Sequence, residues 1–203
     1  TTTGAPLLIQ FENKEQDSSA YDNLKNHPRP GHADFTAFHK YGGFQDYRGS
    51  GHFSGRITLG IVAAGVVAKK LLRGAQFEAK LLEAGGNDQI DQNVERAVVE
   101  KDSIGAIIEC RVNGLPVGLG EPFFDAAESV IAHSIFAVPG IRGLEFGAGF
   151  ASAKMRGSEC NDPILDGAGT TATNHAGGVN GGITNGNELR FRVAVKPTSS
   201  IGR

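Results

Sequence analysis

Ile104-Gly105-Ala106-Ile107-Ile108-Glu109-Cys110-Arg111-Val112-Asn113-Gly114-Leu115-Pro116-Val117 is the stretch whose reading decides the fold class. Ile104 to Val112 is largely apolar and β-branched, which predicts a strand. Asn113-Gly114 suits the two left-handed positions of a tight turn, so a hairpin leading into Leu115-Pro116-Val117 is expected. Leu189, Phe191, Val193 and Val195 alternate with Arg190, Arg192, Ala194 and Lys196, the period of a half-buried strand. Further strands are expected over residues 6–11, 76–82 and 143–146, the second ended by the turn Gly85-Gly86-Asn87-Asp88. Helices are expected over about 55–72, 89–102 and 122–138. In the last, Phe124, Ala127, Ile131, Ile135 and Val138 share a face, Asp125 and Glu128 lie in the opening turns, and Pro139-Gly140 stops it. Residues 12–28 read as a polar surface connection and residues 147–186 as a long loop region. Interleaved helices and hairpin turns give an α+β fold, a layered β-α sandwich with antiparallel pairing, as a single domain over residues 1–203.

At 203 residues and net charge −2, the chain is long enough for a sizeable core. No basic stripe marks a nucleic-acid partner, and no apolar run is long enough to cross a membrane. The 29 glycines follow no fixed period, which excludes collagen and solenoid repeats. Cys110 in an apolar run and Cys160 in a polar loop read as free thiols of a cytoplasmic protein. The chain opens Thr-Thr-Thr-Gly and stops at Ile201-Gly202-Arg203, so both ends read as cut.

Chemistry concentrates in residues 29–56, which hold Arg29, Arg48, Arg56, His32, His39 and His52 among glycines. The three-to-four spacing of Ile57, Ile61, Ala64, Ala68, Leu71 and Leu72 marks a helix face, with Ser54 placed as its N-cap. Arg56 then sits in the first turn, where the helix dipole disfavours a cation unless an anion is bound. A solvated arginine beside an ordinary glycine-rich loop fits the same residues. Three guanidiniums favour phosphate or carboxylate recognition.

Arg29-Pro30-Gly31-His32-Ala33-Asp34, Lys40-Tyr41-Gly42 and Asp46-Tyr47-Arg48-Gly49 resemble the central signature of chorismate synthase. The resemblance continues through Gly118-Leu119-Gly120-Glu121-Pro122-Phe123-Phe124-Asp125, Gly157-Ser158-Glu159-Cys160-Asn161-Asp162, the segment from Asn174 to Gly186, and Lys196-Pro197-Thr198-Ser199-Ser200-Ile201. It implies a cytoplasmic shikimate-pathway lyase, a homotetramer without nucleic-acid or membrane partners. Such an enzyme turns 5-enolpyruvylshikimate 3-phosphate into chorismate and phosphate by 1,4-elimination with no net redox change. Reduced FMN is the implied cofactor, with NADP associated and no metal.

By position, the resemblance implies His32 as the catalytic proton donor and Arg29, Arg48, Ser54 and Arg56 as substrate contacts. Flavin contacts fall on His52, Phe53, Ser54, Phe136, Ala137, Gly181, Lys196, Pro197, Thr198, Ser199 and Ser200. Many members read Arg-Ser-Ser where this chain has His52-Phe53-Ser54. The family's Gly-x-Ser-His-Gly and Gly-Arg-His-Asp-Pro segments do not occur in this sequence, and the connection between Leu72 and Ile104 reads as short. Two alternatives therefore stand beside the lyase: an FMN-binding chain without turnover, and a non-catalytic phosphate-recognising assembly subunit. His27 reads as a solvated residue, His133 as a surface or satisfied core residue, and His175 as a loop brace through its ring hydrogen bonds. Arg190 and Arg192 read as the exposed face of their strand.

Overall fold

A computed structural model describes residues 3–14 and 17–201; residues 15 and 16 of the polar connection and the terminal pairs lie outside it. Backbone contacts divide the chain into two compact units, residues 1–71 and residues 72–203. Among the described residues no helix is long and apolar enough to cross a membrane.

The second unit is built on a four-stranded antiparallel sheet. Its strands are β1 (Gln76–Ala84), β2 (Ala106–Asn113), β3 (Ile141–Phe146) and β6 (Leu189–Val195), in the order β1-β2-β6-β3. A short pair, β4 (Val179–Asn180) and β5 (Ile183–Thr184), forms a separate hairpin. Alternation along β6 puts Leu189, Phe191 and Val193 on one buried face. In register with them stand Val112, Cys110 and Ile108 of β2, and Leu144 and Phe146 of β3 lie opposite Val193 and Phe191. Helix α4 (Ala127–Phe136) lays Ala127, Ile131 and Ile135 over this face. One helical layer on one sheet is the expected α+β arrangement. Helix α3 (Ile90–Glu100) links β1 to β2, and its buried Asn93 ties the Gly85-Gly86 turn by donating to the Ala84 carbonyl and to Asn87 Oδ1.

The other sheet face carries a row of alternating charge. Lys80 stands opposite Glu109, Glu109 opposite Arg192, and Arg192 opposite Glu145. Arg192 pairs with Glu145 at 2.9 Å, and Glu109 is buried against Arg111. Arg190 and Arg192 are thus half-buried and partnered, where the sequence suggested plain exposure.

Asn113-Gly114 does not turn a hairpin. Both edges of β2 are occupied, by β1 and β6, so residues 115–117 have no edge to pair with. They leave the sheet, and the chain next bonds to β5 through Gly118 N–H donating to the Thr184 carbonyl. The hairpin dipeptide is instead Gly181-Gly182, whose φ values of 60° and 86° suit a two-residue turn that follows strand twist.

Residues 6–11 form no strand: no described residue pairs with them, and Leu7 and Leu8 are exposed. The 122–138 helix also starts late. Phe123 takes φ 68° and Ala126 is extended, so the backbone enters the helix only at Ala127, whose N–H is met by the Gly182 carbonyl at 2.8 Å. Phe124 accordingly lies exposed off the shared face.

The first unit contains a 3-10 turn (Ser19–Lys25), α1 (Asp34–Lys40) and α2 (Thr58–Leu71). α2 begins and ends as its periodicity implied, after a 3-10 turn over Gly55–Ile57. Its expected apolar face is not buried: no residue of α2 is, and Leu59, Ile61, Val62 and Val66 are all exposed among the described residues.

Candidate functional site

Arg29, Pro30 and Gly31 make a turn that brings His32 back over Arg29, with Gly31 at φ 68°. Asp34 opens α1, and its carboxylate gathers the group. Oδ2 accepts from the Arg29 backbone N–H at 3.0 Å and from Nε at 2.8 Å; Oδ1 accepts from Arg29 Nη2 at 3.0 Å and lies 2.6 Å from His32 Nδ1. Arg29 Nη2 also donates to Ser50 Oγ at 2.8 Å. Arg29 Nη1 has no partner among the described residues, so this half-buried guanidinium still offers two N–H groups to an anion.

The Arg29 side-chain bonds hold the Asp34 carboxyl at about 2, helped by the Arg29 amide and the His32 charge and opposed by burial. A depressed acid stabilises the fold above its unfolded value of 3.8 and loses that contribution as pH falls through about 2. On the order of 2 kcal/mol is at stake. Denaturant titrations at pH 6 and pH 2.5 are therefore expected to show a shallower acid loss for Asp34→Asn than for wild type.

Ser50 is a buried non-glycine residue at φ 70°, between Gly49 and Gly51, which are also left-handed. Its backbone is strained, yet its hydroxyl holds Arg29. Ser50→Ala is expected to cost about 1–2 kcal/mol, by keeping the strain and orphaning an Arg29 N–H. Ser50→Gly is expected to be more stable than Ser50→Ala by roughly 1 kcal/mol, because glycine tolerates this φ. Thermal melts of the two variants check the order.

Ser54 is buried and caps as expected, its Oγ accepting from Arg56 N at 3.2 Å and from Arg56 Nε at 3.0 Å. Arg56 Nη2 reaches the Gly49 carbonyl at 2.8 Å, and a Cβ at Gly49 would collide with that nitrogen. Arg56 and Arg48 share a polar hollow of about 260 Å³ with Asp46, Asp17 and Tyr21. Arg48 is largely exposed and held by Asp46 at 2.9 Å. The structure thus brings Arg29, His32 and Ser50 into one network and Arg48, Ser54 and Arg56 into another grouping of the same unit.

Phe53 lines a cavity of about 370 Å³ with Phe35, Phe38, His39 and Tyr47, while His52 is exposed outside it. Gln45 also lines the cavity, and its Oε1 is buried without a hydrogen-bond partner. His39 stacks edgewise on Phe35, with centroids 4.4 Å apart. His27 is exposed.

In the second unit, Phe136 ends α4 and Ala137 follows as its cap residue. They lie near the strand end where Lys196 N–H donates to the Gly140 carbonyl. Lys196 Nζ donates to Ser199 Oγ at 2.9 Å, and the Thr198 carbonyl accepts from Ser103. Pro197 and Ser200 are exposed. Gly181 lies at the other end of α4, beside the residue that caps Ala127; ten helical residues separate the ends by about 15 Å. The structure therefore does not gather Gly181 with Lys196.

The backbone amides of His175 and Ala176 anchor a loop by donating to Asp162 at 2.8 and 2.9 Å, whereas the expected ring bonds are not made among the described residues: buried His175 Nδ1 lies 3.5 Å from Asp162 Oδ1 without a hydrogen bond. Burial pushes the Asp162 carboxyl up, but these bonds and the Thr173 hydroxyl bring it below its usual value. His133 is exposed. Cys110 and Cys160 are free, and burial, then Glu109, pushes the Cys110 thiol up. No His, Cys, Asp or Glu cluster able to hold a metal occurs among the described residues.

Sequence reading missed Asp34, Ser50 and Gln45. Asp34 had a signal, a carboxylate two residues after His32 and five after Arg29. Ser50 and Gln45 had none, since only the folded turn shows what they face.

A sequence profile described as chorismate synthase matches residues 1–203. The chain is 64% identical over 200 residues to a chorismate synthase of Chitinophaga pinensis, covering 98% of this chain and 60% of that protein. It is 46% identical to one from Dehalococcoides mccartyi and 44% to one from Pyrococcus abyssi, covering 98% of this chain and 64% of each. The Dehalococcoides alignment runs over 231 positions, more than the 203 residues here, in keeping with shortened connections. A solved structure titled "Crystal Structure of Chorismate Synthase" superposes with a TM-score of 0.74 at 26% identity, over 81% of this chain and 62% of that one. The chain thus spans about three fifths of the length of the relatives it matches. Matched by that profile from its first residue to its last, it belongs to the chorismate synthase family.

Proposed function

We propose that this chain carries the chemistry of a lyase that converts 5-enolpyruvylshikimate 3-phosphate into chorismate and phosphate, with reduced FMN as cofactor. The observation that carries this reading is the Arg29–Asp34–His32 assembly. An imidazole that can exchange a proton stands against a guanidinium with spare donors for a phosphate or carboxylate. Arg56, fixed by Ser54 and the Gly49 carbonyl, adds a second cation.

The residues present fit a flavin, taken unit by unit. In the first unit, exposed Phe35, Phe38 and Phe53 rings border a cavity whose orphaned Gln45 Oε1 asks for an N–H donor. In the second, Lys196 and Ser199 offer a cation and a hydroxyl side by side. Bound and reduced, FMN supplies electron density transiently and recovers it, so no net redox change results. His32 delivers or takes the proton, Arg29 orients the anionic substrate, and the aromatic rings keep water from the cavity.

A second reading is flavin binding without turnover. It rests on the same cavity and its orphaned Gln45 Oε1, which could receive a flavin whether or not a proton is then transferred. An anaerobic assay with reduced FMN, on protein of measured intact mass, decides. Chorismate formed at an enzyme-like rate by a 21.3 kDa polypeptide supports the lyase on these residues alone. Flavin binding without chorismate supports the second reading. Absence of flavin binding sinks both and leaves phosphate recognition in an assembly. A homotetramer belongs to the lyase reading, and light scattering that shows a monomer at micromolar concentration contradicts it.

A further inference from the structure

We infer that Asp34 is the positioning residue of this site: it holds the proton of His32 on Nδ1 and so assigns proton exchange to Nε2. The geometry stands by itself, and its consequence for catalysis rests on the lyase reading above.

The carboxylate meets four donors. Oδ2 takes the Arg29 backbone N–H and Nε; Oδ1 takes Arg29 Nη2 and faces His32 Nδ1 at 2.6 Å. At that distance a proton must lie between Oδ1 and Nδ1, because two lone pairs would repel. Asp34 is ionised at neutral pH, so the proton belongs to Nδ1.

Arg29 does not compete for this arrangement. Its Nη2 lies 3.2 Å from His32 Nδ1 and 3.4 Å from Nε2, close enough to suggest bonds to the ring. A guanidinium nitrogen at that position has two protons. They are committed to Asp34 Oδ1 at 3.0 Å and Ser50 Oγ at 2.8 Å, so the guanidinium lies against the ring without donating to it. Nε2 therefore remains the exchanging atom in both the neutral and the charged ring. Because one carboxylate binds both Arg29 and His32, it also sets the distance between an anion on Arg29 and the proton on His32.

Asparagine at position 34 has one acceptor oxygen for these four donors, and its amide can donate to Nδ1. That favours the tautomer with the proton on Nε2. The test is a long-range proton–nitrogen spectrum of protein labelled with ¹⁵N-histidine, recorded above the pH at which the His32 ring is seen to lose its charge, with His32 assigned through His32→Gln. Wild type is expected to show Nδ1 protonated and Nε2 unprotonated. In Asp34→Asn the ratio of Nδ1–H to Nε2–H is expected to fall on the order of tenfold or more, the worth of one charge-assisted bond. A neutral wild-type ring protonated on Nε2 and not on Nδ1 overturns the inference, as does an unchanged ratio in folded Asp34→Asn.

Should that variant not fold, Asp34→Glu takes its place. Its retained charge is expected to keep Nδ1–H, and a collapse of the ratio there rejects the carboxylate as the cause. Anaerobic chorismate formation, measured alongside, separates the two claims. A ratio that shifts as expected in a protein with no wild-type turnover removes the lyase reading and leaves the positioning intact. Turnover lost in Asp34→Asn with the ratio unchanged removes the positioning and leaves the lyase.

Discussion

His32→Ala is expected to lower chorismate formation by about 10²–10⁴-fold, the usual contribution of a general acid or base. The fold and the flavin affinity should survive. Asp34 keeps three of its four donors, all from Arg29, so the turn before α1 stays tied when the imidazole goes. The ring is half-buried and belongs to no core cluster, so its removal opens little apolar void. Single-turnover kinetics under anaerobic conditions, with flavin binding followed by absorbance, make the comparison. Full turnover over a broad pH range in the variant removes His32 from the mechanism. A large loss of thermal stability assigns it a structural role.

Gly177→Ala is expected to cost on the order of 3–5 kcal/mol, enough to unfold a domain of ordinary stability. Gly177 is buried at φ 67°, and a Cβ there would run into the backbone nitrogen of Gly147 and the Arg190 carbonyl. This is a crossing of backbone on backbone: Ala148 N–H donates to the His175 carbonyl, Gly147 N–H to the Arg190 carbonyl, and Arg190 N–H to the Gly177 carbonyl. The loop can lie on the end of the sheet only if both strands of the crossing lack side chains. Gly65→Ala is the matched control. Gly65 lies inside α2 with open space around it, and alanine there should stabilise by about 0.4–1 kcal/mol. Urea unfolding of the pair is the measurement. Equal effects at the two positions would refute the packing argument.

The crossing also changes what the glycine-rich segment means. Read as sequence, its paired glycines fit close backbone approach to a flavin. In the fold, Gly177 and Gly178 face protein backbone, and Gly181-Gly182 turn a hairpin that caps α4. Glycine spacing tells that something comes close. It does not tell what.

Local pattern alone determined the elements whose causes are local. The period-two alternation of Leu189 to Val195 placed β6, since side chains must point to alternate faces wherever the strand pairs. Ser54 and the three-to-four spacing after it placed α2, because a cap and a helical period lie within a few residues of one another. The Arg29-to-Asp34 motif brings its own three side chains together, because they lie within six residues of chain. Tertiary structure decided what depends on neighbours distant in sequence. Residues 6–11 have strand composition but no described edge to pair with, and Asn113-Gly114 has hairpin chemistry beside a strand whose edges are taken. α4 starts where the Gly182 carbonyl, 55 residues away, meets the Ala127 N–H. Asp34 became the centre of the site because its two oxygens meet four donors at once, and Ser50 because a strained turn delivers its hydroxyl to Arg29 from 21 residues away. A periodicity records which face a residue presents; only the folded chain supplies the partner that face must satisfy.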